Sequence, residues 1–525
     1  MSSGAKNKSS IGIIDIFSGP GGLGEGFSNF ETKGGSHPFE IAVSAEMEVT
    51  AHATLRLRAF LRKLRDKEGA MPESYVKYLA DVVSGKGIPP QEYFRKGKLA
   101  SLWDAAEAEA LNLTLGISKH NDLLYGRIEA AKKKYDALIL IGGPPCQAYS
   151  LVGRARQSNV PGFLTEGDAK HFLYKEYLQV IARYSPEVFI MENVKGILSS
   201  TVGGRSMFNQ IRADLANPKR ALGMSGPHKE YVLLPVHVDE GSVRNPDDII
   251  DDPSRLIVRC EKHGIPQARH RVIIMGVQKS LLAKAIKAPG LDLPEKVKTI
   301  AEALSGLPKL RSGLSRTEDV PDEWVRAMES QRKRVVRSLG KSADSDLVEL
   351  LEDVEFDSKL PRSSTRYDGK SRGVALKLRH PELNIVANHA TRGHMLEDLG
   401  RYLFVSAYGA ANKQSPSSGD FPKSLAPKHL NWESGVFADR FRVQIKKRPA
   451  STVTSHLSKD GHAFIHWDPR QSRSLSVREA ARIQTFPDDY LFLGNRTQQF
   501  VQVGNAVPPL IAQQIANVVH SIIDN

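Results

Sequence analysis

The feature that most constrains the fold is an apolar strand that runs directly into a glycine-rich turn near the start of the chain. Residues 11–16 read Ile-Gly-Ile-Ile-Asp-Ile and predict a short buried strand. The segment from Phe17 to Gly24 that follows contains four glycines, and it predicts a tight turn that opens a helix. A strand, a glycine turn and a helix in this order are typical of the first ligand loop of an α/β sheet.

Further apolar segments predict more buried strands. They are residues 41–45, 137–141, 188–191 and 272–277. Helical sequence, for example residues 174–184, lies between them. Strands that alternate with helices predict an α/β fold with a doubly wound parallel sheet.

A chain of 525 residues is too long for one compact core, so at least two domains are expected. We predict a catalytic and cofactor-binding domain over residues 1–277, interrupted at about 54–118 by a mostly helical insertion rich in Lys, Arg, Glu and Ala. Over residues 278–447 the strand–helix rhythm is lost, which predicts a second, smaller domain that reads the substrate. Residues 448–525 are regular again and are expected to complete the first domain.

The balance of charge favours a polyanionic partner. The formal net charge is +14, and basic surfaces gain affinity for nucleic acid by releasing condensed counterions. Charge alone does not identify that partner. The chain has two cysteines, no apolar run near the ~18 residues of a membrane span, and no apolar segment of the signal-peptide type at its start. These features predict a cytoplasmic protein that does not act in a membrane.

Cys146 follows an apolar strand and a stiff Gly-Gly-Pro-Pro turn. A catalytic nucleophile must be held rigidly at the open edge of a sheet, whereas a cysteine that only fills a core needs no such turn. Because free cysteine is among the most buried residue types, both interpretations remain open for Cys146 considered alone. Cys260 is interpreted as structural.

The glycine turn also satisfies a dinucleotide-binding pattern. Gly19, Gly21 and Gly24 have the spacing G-x-G-x-x-G, and Glu46 ends the second strand about twenty residues later, where it could bind ribose hydroxyls. The pattern fits a nicotinamide dehydrogenase. The same geometry suits S-adenosylmethionine, which has an adenosine but no pyrophosphate, and the pattern does not choose between the two.

Five segments decide between these alternatives when they are taken together and in order. They are residues 15–22 (DIFSGPGG), 144–147 (PPCQ), 192–194 (ENV), 267–271 (QARHR) and 502–508 (QVGNAVP). Together they resemble the motifs of the DNA cytosine-C5 methyltransferase family. The resemblance covers residues 11–50, 118–200, 255–277 and 448–525. It implies a Rossmann-like, S-adenosylmethionine-dependent methyltransferase domain with a smaller target-recognition domain.

The resemblance also implies catalytic roles. The Cys146 thiolate would add to carbon 6 of cytosine and so activate carbon 5 for methylation. Glu192 would contact ring nitrogen 3, Arg271 would hold the carbonyl oxygen, and Arg269 would support the adduct. The two arginines alternate on an extended segment and therefore share a face. Taken alone, Glu192 is also consistent with a helix cap, and the arginine pair with a solvated or phosphate-binding face.

For the cofactor, the family pattern carries over to nine residues. They are Phe17, Ser18, Gly19, Pro20, Gly21, Gly22, Glu46, Asp122 and Asn505. Phe17 would stack on adenine, Glu46 would bind the ribose and Asp122 would lie near the adenine amino group. Asp122 is also consistent with an ordinary turn or helix cap. The chemistry requires no metal, and His456, His462 and His466 are interpreted as solvated or DNA-facing.

The implied substrate is duplex DNA, with the target base flipped into the pocket. Residues 388–392 and 440–442 are candidate DNA contacts. We expect a sequence-specific microbial enzyme of the restriction-modification type, acting as a monomer near the nucleoid, with a cognate restriction endonuclease as a further candidate partner. An RNA (tRNA) cytosine-C5 methyltransferase and a catalytically silent DNA-binding relative are the alternatives. A dehydrogenase would leave Cys146, Glu192 and the arginine pair unexplained.

Overall fold

The computed structural model describes residues 10–145, 164–202, 205–340, 344–427, 432 and 440–524, with only the backbone of residues 164–172, 202 and 205. The strands in these ranges are β1 Ile11–Ile16, β2 Phe39–Glu46, β3 Ala110–Asn112, β4 Ala137–Gly142, β5 Val188–Asn193, β6 Thr201–Val202, β7 Arg205–Ser206, β8 Tyr231–Pro235, β9 Ile257–Arg259, β10 Gln267–Ala268, β11 His270–Gln278, β12 Gly313–Leu314, β13 Gly393–His394 and β14 Ala450–Ser451. The α-helices of five or more residues are Gly22–Ser28, Val49–Glu68, Glu73–Val83, Pro90–Phe94, Ala100–Glu109, Ser118–Lys134, Leu164–Tyr184, Met207–Ala216, Leu282–Lys287, Pro321–Leu339, Ser345–Glu352, Val374–Leu378, Leu396–Asn412, Val477–Ile483, Arg496–Asn505 and Pro509–Ile523.

One large sheet forms the centre of the molecule. Within the described ranges its strand order is β3-β2-β1-β4-β5-β11-β8, and β9 also pairs with β11. The pairs from β3 to β5 are parallel, and the α/β prediction is confirmed. β11 departs from the expected parallel sheet, because it runs antiparallel to both β5 and β8. β8 and β11 are neighbours joined without a long crossover helix, and an antiparallel pair can be connected in that way.

Helices cover both faces of this sheet, as a doubly wound fold requires. On one face Ile14 and Ile16 of β1 pack with residues of the helices Ser118–Lys134 and Leu164–Tyr184. On the other face Ile11 and Ile13 pack with the helices Gly22–Ser28 and Pro509–Ile523. The alternation along β1 therefore sends successive side chains into two separate cores.

The first and last helices of the sheet layer approach each other very closely. A Cβ at Gly22 would lie 2.3 Å from the carbonyl oxygen of Val507, and one at Gly26 would lie 2.4 Å from that of Pro509. No other residue type fits these two contacts without a shift of backbone. The glycine loop that precedes Gly22 is therefore fixed against the last segment of the chain.

The inserted segment between β2 and β3 contains four helices, Val49–Glu68, Glu73–Val83, Pro90–Phe94 and Ala100–Glu109. They enclose a core that includes Phe60, Tyr78, Phe94 and Trp103. The inserted helices end at Glu109, since β3 directly follows and forms one edge of the central sheet. The predicted limit of about 118 therefore lies beyond the inserted helices.

A second group of cores lies outside the sheet. Residues 300–307 and 374–386 share one apolar cluster with residues 450–506, and the predicted boundary between residues 447 and 448 runs through it. A further cluster packs the helix Pro321–Leu339 against Leu396–Asn412. One helical stretch in the described residues, Arg496–Ile523, is long and apolar enough to cross a membrane, but 61% of its most apolar window is buried inside the protein.

Candidate active site

A cavity of about 430 Å³ lies beside the carboxyl ends of β1, β2, β4 and β5. Ligands of open α/β sheets bind at this edge. Most of the predicted site residues line it. They are Phe17, Ser18, Gly19, Pro20, Gly22, Glu46, Glu192, Arg269, Arg271 and Asn505.

The glycine turn wraps one side of this cavity. Phe17, Gly19 and Gly21 all have positive φ angles, 57°, 57° and 100°. The Ser18 hydroxyl donates to the main-chain oxygen of Asp15 at 2.8 Å, which closes the turn on β1. Phe17 tolerates its left-handed conformation only because the surrounding contacts fix it, and such strain concentrates at ligand sites.

Glu46 joins this loop to the end of β2. One carboxylate oxygen accepts the Gly19 N–H at 2.8 Å, and the other accepts the Glu48 N–H at 2.7 Å. Burial raises the pKa of Glu46 above its ordinary value, although these backbone donors oppose the effect. The carboxylate thus lines the cavity in a fixed orientation.

Asp15 lies beneath the loop, at the carboxyl end of β1. Its carboxyl group is buried, and neither oxygen has a hydrogen-bond partner among the described residues. Burial raises the pKa of Asp15 to about 7. A Cβ at Gly24 would lie 2.9 Å from one of these oxygens, so the first helix also packs tightly on the carboxyl group.

The opposite side of the cavity carries a carboxylate and two guanidinium groups. Glu192 lies at the end of β5, and its Oε1 is 2.9 Å from Nε of Arg271. Arg269 is buried and donates to the main-chain oxygens of Val453 at 2.8 Å and Gly504 at 3.3 Å. Burial lowers the pKa of Arg269 to about 9. Both arginines line the cavity, in accord with the predicted shared face.

The turn that leads to Cys146 is tied to the same strand end. The Asn193 side chain donates to the main-chain oxygen of Pro144 at 3.3 Å, and a Cβ at Gly143 would lie 3.0 Å from Oε2 of Glu192. Pro144 and Pro145 line the cavity. Cys146 itself lies outside the described residues. Cys260 is buried, and burial raises the pKa of its thiol to about 12, as expected for a structural cysteine.

Two predicted cofactor residues are not among those that line the cavity. Asp122 is exposed on the helix Ser118–Lys134, where the neighbouring Asn121 accepts the Gly116 N–H at 3.1 Å. Gly21 faces the opposite way, since its Cβ would lie 3.0 Å from the hydroxyl of Tyr490. Asp122 and Gly21 therefore lie outside the lining of this cavity, and their roles in cofactor binding remain predictions.

Apolar residues that the sequence did not single out complete the cavity wall. They include Met47, Leu113, Leu115 and Val501. Leu113 and Leu115 follow β3, whose three residues are too few for a period-2 pattern to be recognised. The alternation of Leu111, Leu113 and Leu115 was the only signal that the sequence offered.

The interpretation of the three histidines as solvated or DNA-facing is wrong for two of them. His462 and His466 are buried. Nδ1 of His462 lies 2.8 Å from the Tyr402 hydroxyl, and Nδ1 of His466 accepts the Asp468 N–H at 3.1 Å. Tyr402 belongs to a helix sixty residues away in sequence, so a local pattern could not reveal this burial. His456 is exposed.

The two candidate DNA-contact clusters differ in the structure. Within residues 388–392, His389 and Thr391 are buried and bonded to the protein interior, which corrects the expectation of a contact surface there. Arg440 and Arg442 instead line a second cavity of about 580 Å³, together with Thr452, His456 and Lys459. Ala268, the neighbour of Arg269, also lines this second cavity, which we call the basic cleft. The basic cleft therefore adjoins the first cavity.

A glycine loop and a fixed carboxylate beside a glutamate–arginine pair, at the carboxyl edge of a doubly wound sheet, are features of a methyltransferase. The chain belongs to the C-5 cytosine-specific DNA methylase family, whose model matches residues 95–217 and 253–521. These ranges include Cys146, Glu192, Arg269, Arg271 and Asn505. The enzyme is thus a DNA (cytosine-5-)-methyltransferase by family, and the dehydrogenase alternative is rejected.

Individual relatives agree with this family. A type II methyltransferase of Bacillus paralicheniformis is 31% identical, over 98% of this chain and 99% of the relative. A DNA (cytosine-5-)-methyltransferase of Aeropyrum pernix is 26% identical, over 74% of this chain and 82% of the relative. A solved Escherichia coli structure, described as a prophage-encoded DNA modification methyltransferase, is 19% identical with a TM-score of 0.45, over 98% of this chain and all of that one. The family model and the 31% identical relative establish the family of this chain.

Proposed function

We propose that this enzyme transfers a methyl group from S-adenosylmethionine to carbon 5 of a cytosine flipped out of duplex DNA, through a transient covalent bond to Cys146. The observation that supports this most is the composition of one cavity. The glycine loop and Glu46 form one side, and Glu192 and Arg271 form the other, next to the turn that precedes Cys146.

The residues on the loop side fit S-adenosylmethionine. A cavity of about 430 Å³ is of the size that ligand sites have, roughly 300–1,000 Å³. Each Glu46 oxygen accepts one backbone N–H and has a further lone pair for a ribose hydroxyl. Phe17 offers an aromatic face for adenine, and the exposed Asn505 amide offers a donor and an acceptor. When bound, the cofactor supplies an electrophilic methyl group on a sulfonium.

The residues on the other side suit activation of the cytosine ring. The Cys146 thiolate forms a bond to carbon 6 while the double bond between carbons 5 and 6 opens, and Glu192 provides a proton or hydrogen bond at nitrogen 3. Arg271, whose Nε lies 2.9 Å from Oε1 of Glu192, stabilises charge on the carbonyl oxygen. Carbon 5 would take the methyl group and leave the sulfonium as a neutral thioether. Transfer of the carbon 5 proton to water would then re-form the double bond and expel the thiolate.

The basic cleft beside the cavity suits the DNA backbone. Arg440, Arg442 and Lys459 line it together with Asp460, which lies 3.3 Å from Arg440, and the chain as a whole carries a net charge of +14. Lysine and arginine contacts to phosphates position a duplex without reading its sequence. A DNA backbone that followed this cleft towards Arg269 and Arg271 would place an extruded base on the side of the cavity that contains Glu192.

The test compares substrates directly. The purified chain is incubated with methyl-tritiated S-adenosylmethionine and either duplex DNA of mixed sequence or tRNA. We expect label in the DNA and none in the tRNA. Label confined to tRNA would replace the proposal with the RNA-modifying alternative, and label in neither would favour the catalytically silent relative. Action as a monomer in the cytoplasm, beside a cognate endonuclease, remains a prediction.

A further inference from the structure

We propose that Tyr490 is a positioning residue for the cofactor loop, and that the helical insertion holds it in place through Arg58. This inference rests on the proposed binding of S-adenosylmethionine at the loop. It assigns a role to an insertion that the catalytic motifs leave unexplained.

Tyr490 contacts the loop from the side opposite the cavity. Its ring is buried, and its hydroxyl donates to the main-chain oxygen of Pro20. Pro20 lines the cavity, while the adjacent Gly21 turns towards Tyr490 with a φ of 100°. A Cβ at Gly21 would lie only 3.0 Å from the hydroxyl oxygen, so the absence of a side chain there lets the tyrosine reach the loop.

Arg58 fixes Tyr490 and the first helix together. It belongs to the inserted helix Val49–Glu68, and its guanidinium carbon lies 4.8 Å from the centre of the Tyr490 ring. Nε donates to Glu25 at 2.8 Å, and Nη1 donates to Asp489 at 2.6 Å. The side chains of Arg58, Glu25 and Asp489 are all 3% exposed or less.

The charges of this cluster are balanced. Arg65 of the same inserted helix also binds Asp489, so two arginines face two carboxylates. A buried, fully paired cluster of this kind is costly to open, because opening leaves an unpaired charge in the interior. Glu25 lies on the helix Gly22–Ser28, which begins where the loop ends. The loop is therefore held at its Pro20 carbonyl and at the helix that follows it.

A loop held in this way is ready for the cofactor before binding. When only a fraction of molecules has the binding-competent loop, the apparent dissociation constant rises by the inverse of that fraction. Removal of the Tyr490 hydroxyl should therefore weaken cofactor binding, while the chemistry at Glu192 and Arg271 is untouched. Changes at Arg58 are unsuitable as a test, since they would leave the buried Glu25 without its arginine and Asp489 with Arg65 alone.

The test is Tyr490→Phe, with Tyr75→Phe as the matched control. Tyr75 is equally buried, and its hydroxyl donates to the main-chain oxygen of Asp489 at 2.7 Å without touching the loop. Each substitution removes one buried hydroxyl–carbonyl hydrogen bond. We expect Tyr490→Phe to raise the dissociation constant for S-adenosylmethionine, measured by calorimetry, by about two- to tenfold. The kcat at saturating cofactor should stay within about twofold, and Tyr75→Phe should leave the dissociation constant unchanged.

Hydrogen–deuterium exchange gives a second readout for residues 17–24. Exchange there should be faster in Tyr490→Phe than in the wild type or in Tyr75→Phe, even if the two substitutions lower the Tm by the same amount. Equal changes in cofactor binding for the two variants would reduce Tyr490 to a structural residue and overturn the inference, as would no change in either. A wild-type chain that does not bind S-adenosylmethionine would instead contradict the proposed function.

Discussion

Nε of Arg271 lies 2.9 Å from Oε1 of Glu192, across the antiparallel pair of β11 and β5. The direction of β11 makes this contact possible. Because β11 is antiparallel, its first residues meet the last residues of β5, whereas a parallel strand would carry Arg271 to the opposite edge of the sheet. Among the described strands of this sheet, β11 alone runs against the parallel direction, and it thereby brings the guanidinium to the carboxylate that we propose acts on the cytosine ring.

Glu192→Gln should reduce methyl transfer to duplex DNA by about 10²-fold or more, because the amide cannot deliver a proton to the ring nitrogen. The matched control is Glu187→Gln, directly before the first residue of the same strand, where the carboxylate accepts the Leu138 N–H at 2.8 Å. Single-turnover kinetics with tritiated cofactor would measure both. Equal rates in the two variants would show that Glu192 takes no part in methyl transfer.

Lys459→Gln should remove one phosphate contact, and it should therefore weaken DNA binding and reduce the dependence of the affinity on salt. Each phosphate contact contributes about one unit to the slope of log K against log salt, so we expect the slope to fall by about 0.9. Lys279→Gln serves as the control, because that lysine pairs with Glu230 at 3.0 Å on the β8 side of the sheet. Fluorescence anisotropy with a labelled duplex between 50 and 200 mM salt, roughly the range over which such contacts are resolved, would test this. An unchanged slope would mean that DNA does not follow the basic cleft.

Asp15→Asn should change how stability depends on pH. The carboxyl group stays protonated in the folded chain up to about pH 7, whereas it ionises from about pH 4 in the unfolded chain. In between, the folded chain binds more protons, so its free energy of unfolding falls as pH rises, and the effect is constant above both values.

The asparagine removes this dependence, so the Tm of Asp15→Asn relative to the wild type should rise between pH 5 and pH 8. The expected change is on the order of 3 kcal/mol in stability. Asp81→Asn, at a half-buried carboxylate paired with the exposed Lys86, should shift little over the same range. Parallel Tm profiles for Asp15→Asn and the wild type would contradict the burial of an unpaired carboxyl group at that position.

Gly26→Ala and Gly126→Ala should have opposite effects on stability. A Cβ at Gly26 would lie 2.3 Å from Cβ of Ala512, so overpacking should cost about 1–3 kcal/mol. Gly126 lies in the helix Ser118–Lys134 with no atom within 4 Å of its added Cβ, and alanine there should stabilise by about 0.5–1 kcal/mol. Thermal unfolding of both variants tests the close packing of the first and last helices. A stabilising Gly26→Ala would contradict it.

Local sequence patterns predicted most strands of the central sheet and the residues at their carboxyl ends. Continuous apolar runs located β1, β2, β4, β5 and β11, because strands buried on both faces need such runs. The glycine loop follows β1 directly, and Glu46 and Glu192 lie at the ends of β2 and β5, so their places at the sheet edge could be inferred. The pairing direction of β11 could not, since it depends on how β8 and β11 are connected.

Contacts between residues far apart in the chain could not be predicted from the sequence. Tyr490 reaches Pro20 across 470 positions, and Arg58 reaches Asp489 across 431. Their burial and pairing depend on the packing of the insertion, which has no local pattern. His462 was misinterpreted for the same reason, because its partner Tyr402 lies on a separate helix.

The central claim is that Cys146 forms the bond that activates cytosine, and bisulfite sequencing tests it most directly. DNA is sequenced from cells that express the wild-type chain and from cells that express Cys146→Ser at equal levels. The account predicts protected cytosines within one recurring sequence for the wild type, and none above background for Cys146→Ser. Equal protection by the two proteins would contradict it.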